Sequence, residues 1–234
     1  MLKVVSFKIC PFVQRVTALL EAKKIPYEVE FISLSDKPQW FLDISPNAQV
    51  PLLITEQGQA LFESDAIVEY LEEAYSPLQS GLSPEQKAVN RAWSYLASKN
   101  YLVQCGAQSS ADLPTLNERG AKLATAFEKV EKQLETGPFF DGDNIGMVDV
   151  AWLTLLHRAH IIQQRTGYDF VGDNPKVKAW QNALLNTGLA EKSVAKDFEE
   201  VFAGFYLSDS TYLGRGCDTD TTGPSERCGS ASCC

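Results

Sequence analysis

The spacing of hydrophobic and polar positions changes once along the chain, near residue 76. Before that point, short runs rich in apolar and β-branched residues predict strands, at residues 2–9, 27–32, 51–54 and 60–62. Apolar positions at helical spacing begin at Pro11 and again after Glu63, and they predict two helices. The order βαβ, a connecting segment and then ββα predicts an α/β domain over residues 1–76.

The second half of the chain carries only helical spacing. A turn-rich stretch at residues 76–82 is predicted to separate it from the first domain. Ser83 to Gln86 and Thr115 to Glu118 both have the form of a capping box at a helix start. Further apolar periodicities predict helices at residues 148–162, after Asn174 and across 194–202. We therefore expect an all-helical domain at residues 84–207 and the fold class α/β plus all-α.

The last residues have a different composition. From Ser208 onward Gly, Ser, Thr and Asp dominate and the apolar periodicity stops, which predicts a flexible tail over residues 208–234. The tail holds four cysteines, Cys217, Cys228, Cys233 and Cys234. They could bind a soft metal, form disulfides or supply a thiol to another site. The favoured hypothesis is an appendage without a catalytic role.

Composition and charge act mainly by exclusion. The chain has 21 Lys and Arg against 30 Asp and Glu, a formal net charge of −9 and a pI near 4.8. Such a protein has no general attraction for nucleic acids or for anionic membrane surfaces. The apolar runs are too short to span a bilayer, and no cleavable leader follows Met1. We expect a cytoplasmic protein that binds neither nucleic acid nor membrane.

Cys10 lies where the first predicted strand ends and the first predicted helix begins. The unpaired N–H groups and the dipole at a helix start favour a thiolate. The segment Cys10-Pro-Phe-Val13 has the form of a Cys-x-x-Cys redox motif whose second cysteine is replaced. A mixed disulfide at Cys10 would then need an external thiol, and glutathione is the abundant cytosolic one. A buried, inert core cysteine is the alternative.

Several motifs occur together with Cys10 in a fixed order. They are Cys10-Pro-Phe-Val-Gln-Arg15, Ser35-Asp-Lys-Pro-Gln-Trp-Phe41, Ser45-Pro46, Gln49-Val-Pro-Leu-Leu53 and Phe62-Glu-Ser-Asp-Ala-Ile67. Together they resemble the cytosolic glutathione transferase superfamily, and within it the cysteine-type branch of the omega class and the plant dehydroascorbate reductases. The resemblance implies an N-terminal thioredoxin-like domain, an all-helical C-terminal domain and glutathione as cosubstrate.

The resemblance also implies which residues bind glutathione. The backbone of Val50 would pair with the cysteinyl part, because the family has a cis-proline at the position of Pro51. Phe12 would line the thiol end of the ligand. Pro51 also has an ordinary structural interpretation, as a turn residue.

Charged and hydroxyl groups would bind the two ends of the ligand. Ser64, at a helix start, would receive the γ-glutamyl carboxylate, and Glu63 would meet its ammonium group. Lys37 would pair with the glycyl carboxylate. Taken singly, Ser64 is better explained as a helix cap and Lys37 as a solvated charge, but together, beside Cys10, these residues favour a binding site.

Two features of the helical domain are predicted to be structural. Asp149 matches the family's helix-capping motif, in which Gly146 stands where a Ser or Thr is usual. His157 and His160 are three residues apart on a helix, but no further ligand lies near them in sequence, so no metal site is predicted. Cys105 is expected to be a core residue.

Three functions remain open at this point. The leading hypothesis is a glutathione-dependent thiol transferase or reductase, in which Cys10 attacks a disulfide, a glutathionylated substrate or dehydroascorbate. One alternative is a transferase that conjugates or cleaves electrophiles with glutathione itself as nucleophile. The other is a non-catalytic binding or regulatory module with this fold. The resemblance further implies a homodimer through residues 55–71 and the first long helix of the second domain, or a monomer as in the dehydroascorbate reductase branch.

Overall fold

The computed structural model describes residues 1–135 and 137–216. Its N-terminal part has the predicted thioredoxin-like order of elements. Four strands form one sheet: β1 (Leu2–Ser6), β2 (Tyr27–Phe31), β3 (Leu52–Ile54) and β4 (Ala60–Phe62). The strand order is β2-β1-β3-β4, with β1 parallel to β2 and antiparallel to β3, and β3 antiparallel to β4. The helices of this part are α1 (Pro11–Ala22), α2 (Gln39–Ile44) and α3 (Ser64–Ala74).

Two boundaries in this part differ from the sequence prediction. Strand β1 ends at Ser6, because the chain turns there and the backbone N–H of Cys10 donates to the carbonyl of Phe7 at 3.0 Å. Helix α2 occupies part of the segment predicted as a connection. Only Phe41 is buried in this helix, so it carries no apolar periodicity that the sequence could reveal.

The C-terminal part is helical, as predicted. Its helices are α4 (Pro84–Gln108), α5 (Leu113–Gln133), α6 (Met147–Thr166), α7 (Pro175–Leu185), α8 (Leu189–Lys192) and α9 (Phe198–Tyr206). The capping box at Ser83 is present. The one predicted at Thr115 is wrong, because α5 begins earlier and the Asp112 carboxylate caps it by accepting from the Thr115 N–H at 2.8 Å.

Helix α6 runs through the centre of this domain, and Asp149 holds its first turn. The Asp149 carboxylate, which is fully buried, accepts from the N–H groups of Gly146 at 2.8 Å and Phe140 at 2.9 Å, and from Trp180 Nε1 at 2.6 Å. Burial raises the Asp149 pKa to about 6, against the effect of these hydrogen bonds. Asp149 is therefore a folding element, as expected.

The packed part of the chain extends further than the sequence predicted. Thr211 and Leu213 are buried, and the N–H of Tyr212 donates to the carbonyl of Ser110 at 2.8 Å. The flexible tail predicted from residue 208 is thus wrong for residues 208–216, which pack on the helical domain. The four tail cysteines lie outside the described residues. In the part of the chain that the structure describes, no helix is long and apolar enough to cross a membrane.

Candidate functional site

Cys10 occupies the N-cap position of α1. Its backbone is extended (φ −70°, ψ 122°), and its carbonyl accepts from the N–H of Gln14 at 3.2 Å. Pro11 follows as the first helical residue, where a missing N–H costs no hydrogen bond. The Cys10 side chain is buried, with 3% of its surface exposed, and its Sγ lies 3.9 Å from the carbonyl oxygen of Val50. The thiol therefore lies at a helix start, as the sequence predicted.

Val50 comes from the segment that leads into β3. The Val50–Pro51 peptide bond is cis, and both residues are buried. The adjacent strand β3 pairs with β1, whose end leads into the turn before Cys10. The sheet thus brings the predicted residues Val50 and Cys10 together although forty positions separate them.

Lys37 and Glu63 both hold the segment that precedes Val50. Lys37 Nζ donates to the carbonyl of Ala48 at 2.8 Å. The side-chain amide of Asn47 donates to a Glu63 carboxylate oxygen at 2.9 Å. The two predicted charged residues therefore converge on residues 47–48, one from the loop before α2 and the other from the start of α3.

The start of α3 differs by one residue from the capping arrangement considered for Ser64. Glu63 is the N-cap, with φ +67°, and Ser64 is the first helical residue and is buried. A positive φ is unfavourable for a residue with a Cβ, and such conformations concentrate at functional sites. The first-turn N–H groups of α3 have no acceptor within their own helix, so this helix start is suited to an anion.

Phe12 connects the site to the helical domain. Its ring is half-buried and meets the edge of the Tyr101 ring, with 5.2 Å between centroids. The Tyr101 hydroxyl donates to the carbonyl of Ala151 at 2.6 Å, and burial raises the Tyr101 pKa to about 12. Tyr101 is therefore a neutral, fixed partner for Phe12 near neutral pH.

Several residues near the site were assigned no role from the sequence. Arg15, which is buried, forms an ion pair with Asp65 in the first turn of α3. Gln14 and Arg158 form a buried hydrogen bond between α1 and α6. Gln14, Arg15 and Asp65 all belong to motifs singled out in the sequence, whereas Arg158 belongs to none of them and meets Gln14 only in the tertiary structure.

His157 belongs to the same buried network. Its Nδ1 lies 2.9 Å from the side-chain amide nitrogen of Gln14, and its ring stacks on Phe198 with centroids 5.4 Å apart. Burial, followed by the charge of Arg158, lowers the His157 pKa to about 3. Within residues 1–135 and 137–216, no three His, Cys, Asp or Glu side chains form a cluster that could hold a metal ion.

Two cavities flank α1. One of about 210 Å³ adjoins Cys10 and is lined among others by Lys8, Phe31 and Lys196. A larger one of about 570 Å³ lies at the other end of α1, around Tyr27, and includes none of the predicted site residues. Of the predicted site residues only Cys10 lines the smaller cavity, and Tyr27 lines both cavities.

Comparison with known proteins agrees with this arrangement. Residues 9–74 match the family model of the glutathione S-transferase N-terminal domain, and residues 114–182 match that of the C-terminal domain. Glutathione S-transferase DHAR2 of Arabidopsis thaliana is 33% identical over 84% of this chain and 88% of its own length. Glutathione S-transferase omega-1 of Mus musculus is 31% identical over 89% and 87%.

A solved structure shows the same fold. The crystal structure of glutathione transferase Omega 3C from Trametes versicolor superimposes with a TM-score of 0.71, at 26% identity, over 83% of this chain and 89% of that one. The two domain matches, the identities above 30% and the arrangement around Cys10 all lead to one assignment. The chain belongs to the glutathione S-transferase family.

Proposed function

We propose that the protein is a glutathione-dependent thiol transferase or reductase that acts through a mixed disulfide at Cys10. The observation that carries this proposal is the thiol itself, held at the start of α1 and 3.9 Å from the Val50 carbonyl that precedes the cis Pro51. A thiol there is suited to attack a sulfur or another oxidised centre. Its relatives of the omega class and the dehydroascorbate reductases support the same branch.

Glutathione would bind across the residues that converge beside Cys10. The backbone of Val50 would pair with the cysteinyl unit, and Phe12 would line its thiol end. The start of α3 at Ser64 would receive the γ-glutamyl carboxylate, with Glu63 at the ammonium group. Lys37 would bind the glycyl carboxylate, giving up its hydrogen bond to Ala48 or sharing it.

The reaction on a disulfide substrate takes two exchanges. The Cys10 thiolate attacks one sulfur, a new S–S bond forms, and the other half leaves as a thiolate that takes a proton from water. The thiolate of glutathione then attacks the adduct, which restores the Cys10 thiolate. When the adduct is glutathionyl-Cys10, the product is glutathione disulfide.

Dehydroascorbate has no sulfur, so the Cys10 thiolate would instead add to one of its carbonyl carbons. One glutathione thiolate would then attack the Cys10 sulfur, which breaks the C–S bond, releases ascorbate and leaves glutathionyl-Cys10. A second glutathione would restore the Cys10 thiolate and form glutathione disulfide, so that two electrons pass to the acceptor.

The acceptor would enter through the cavity beside Cys10. This cavity combines the apolar Phe31 with the charged Lys8 and Lys196. Asp197 pairs with Lys8, so one positive charge remains in excess among these three groups. A small acceptor with an anionic group, such as a disulfide that carries a carboxylate, fits this lining.

Replacement of Cys10 by Ser tests the proposal, with Cys105→Ser as the matched control. Both cysteines are buried, but Cys105 lies inside α4 rather than at a helix start. We expect the turnover of a glutathione mixed disulfide or of dehydroascorbate to fall more than a hundredfold in Cys10→Ser, while the variant still binds glutathione. Cys105→Ser should keep the wild-type turnover. Unchanged reductase turnover in Cys10→Ser would contradict the nucleophile.

Two further measurements separate the alternatives. If the wild type conjugated an aryl halide to glutathione and did not reduce a disulfide, the protein would be a conjugating transferase. If the wild type did not bind to immobilised glutathione, it would be a binding module without this cosubstrate. Both alternatives keep the fold, and they differ from the proposed function in the nucleophile or in the binding of glutathione.

We also propose a homodimer and a cytosolic location. Phe62 on β4 and Val89 on α4 are exposed apolar side chains on the two elements through which the dimer is expected. Sedimentation of the wild type beside a Phe62→Ser, Val89→Ser variant tests this, and a wild type that stays monomeric at tens of micromolar would contradict it. Cell fractionation tests the location, since one rice relative is cytosolic by name and one Arabidopsis relative chloroplastic.

A further inference from the structure

Arg158 is a buried cation that has no carboxylate partner in the part of the chain that the structure describes. It lies on α6 with none of its surface exposed. No ion pair among residues 1–135 and 137–216 includes it. An unpaired buried charge is costly, and its survival in a folded protein calls for a compensating group. Burial indeed lowers the pKa of the Arg158 guanidinium.

The contacts of Arg158 lead to the start of α1. One terminal nitrogen donates to the carbonyl of Ile9 at 3.3 Å. The other donates to the side-chain oxygen of Gln14 and to the carbonyl of Thr154 at 3.2 Å. Its Nε has no hydrogen-bond partner among the described residues. Arg158 thus contacts both sides of Cys10, through the backbone carbonyl of Ile9 before it and the side chain of Gln14 in the first turn after it.

The groups near Arg158 that can carry a negative charge are thiols and phenols. Cys105, Tyr206, Cys10 and Tyr101 act in that order to raise the Arg158 pKa against the effect of burial. A phenol ordinarily keeps its proton up to about pH 10, and burial raises the pKa of Tyr101 further, to about 12. Cys105 lies within α4, where no helix start favours a thiolate, whereas Cys10 is the N-cap of α1. Cys10 is therefore the group best placed to supply the missing negative charge.

We propose that Arg158 is a positioning residue for Cys10, and that its buried guanidinium stabilises the thiolate from behind the start of α1 while holding the turn at Ile9. This inference rests on the proposed function only in treating Cys10 as the nucleophile. The guanidinium and the helix start act on the same charge from different elements. A change in the helical domain can therefore alter the reactivity of a thiol in the N-terminal domain.

The test measures the charge of the thiol and not turnover. The full-length reduced protein is treated with iodoacetamide across a range of pH, and alkylation of the peptide that contains Cys10 is followed by mass spectrometry. The thiolate reacts and the thiol does not, so the midpoint of the rate profile reports the thiolate fraction. Because alkylation needs no cosubstrate, the profile can shift even if the Cys10→Ser turnover test contradicts the proposed function.

Three variants decide the proposal. Arg158→Gln removes the charge but keeps a donor for Ile9, and we expect its midpoint to rise by about one pH unit or more, because a charge within several ångströms has this effect. Arg158→Lys keeps the charge and should keep the midpoint within about half a unit of the wild type. Cys105→Ala should leave the Cys10 midpoint unchanged.

Each result of this comparison supports or overturns the proposal. A folded Arg158→Gln with the wild-type profile would overturn it, and so would a shift in Cys105→Ala of the size expected for Arg158→Gln. If Arg158→Gln does not fold by circular dichroism, Arg158→Lys decides. A folded Arg158→Lys with a midpoint raised by a full unit overturns the proposal, and one with the wild-type midpoint supports it.

Discussion

Burial of the neutral His157 imidazole should by itself lower the free energy of unfolding in mild acid. Its imidazole is neutral in the fold, where Nδ1 lies against the Gln14 amide and the ring stacks on Phe198. Burial lowers its pKa from 6.5 to about 3. The free energy of unfolding is therefore unaffected by this group above pH 6.5 and falls as the pH drops from 6.5 towards the folded-state pKa, because only the unfolded chain then binds the proton. The complete loss corresponds to roughly 5 kcal/mol at about 1.4 kcal/mol per unit.

Part of this loss of unfolding free energy falls in a pH range where unfolding can be measured. Between about pH 7 and about pH 5, an unfolded histidine becomes almost fully protonated while the folded one stays neutral, which costs roughly 2 kcal/mol of unfolding free energy. Asp149 acts in the opposite sense. Its pKa is raised to about 6, so the folded state takes up a proton before the unfolded chain does, adding roughly 1 kcal/mol over the same interval. The wild type alone therefore shows only a small net change.

Comparison with His157→Asn isolates the histidine. The Asn side-chain oxygen can accept from Gln14 in place of Nδ1 but does not titrate, and Asp149 is common to both proteins. Urea unfolding at about pH 7 should show the variant less stable by about 1–2 kcal/mol, through lost packing on Phe198. At about pH 5 this difference should vanish or reverse.

The result that refutes this reasoning is a constant difference. If the wild type and His157→Asn differ by the same free energy at both pH values, within about 0.5 kcal/mol, His157 is not held neutral by the fold. His160→Asn serves as the control, because His160 lies on the same helix and is only half-buried.

Three other predictions concern the structure around the site. Asp149→Ala should lower the free energy of unfolding by about 3 kcal/mol or more in urea, because three buried N–H donors lose their acceptor, and Asp149→Asn should lose less. Glu63→Gly should gain about 1 kcal/mol by relieving a positive φ but weaken glutathione binding in calorimetry; unchanged affinity would remove Glu63 from the site. Truncation after Leu207 should lower the free energy of unfolding by about 2–5 kcal/mol more than truncation after Gly216, because it removes the buried side chain of Leu213. Equal melting midpoints of the two truncated proteins would contradict the packing of Leu213.

The sequence predicted the strands and the long helices because their apolar residues recur with a clear period. Helix α2 escaped prediction because it buries one residue, and α8 because it has only four. The start of α5 was misplaced because Asp112 and Thr115 are both good caps and lie three positions apart. The polar composition of residues 208–216 led to the wrong prediction of a flexible tail there, because it hides two buried side chains, Thr211 and Leu213.

The residues of the candidate site also differ in whether the sequence could predict them. Cys10 was predicted from a strand end followed by a helix start with Pro11, whereas Val50 and Pro51 were predicted from the resemblance to glutathione transferases. The hydrogen bond of Gln14 with Arg158 joins residues 144 positions apart, so no local pattern could reveal it. Residues in local motifs were thus accessible to sequence reasoning, whereas the contact from the helical domain was not.

Helix α1 belongs to both domains at once. It packs on α3 in the N-terminal part and on α4, α6 and α8 in the helical part, and every residue from Val13 to Leu20 is buried. Cys10 is the N-cap residue of this helix. A substitution in the interface between the domains therefore also changes the surroundings of the nucleophile. The effect of one substitution along α1 will depend on which other residues of the interface have changed. Laboratory selection for new acceptors should accordingly succeed more often at the rim of the smaller cavity, at Phe31 or Lys196, than along α1.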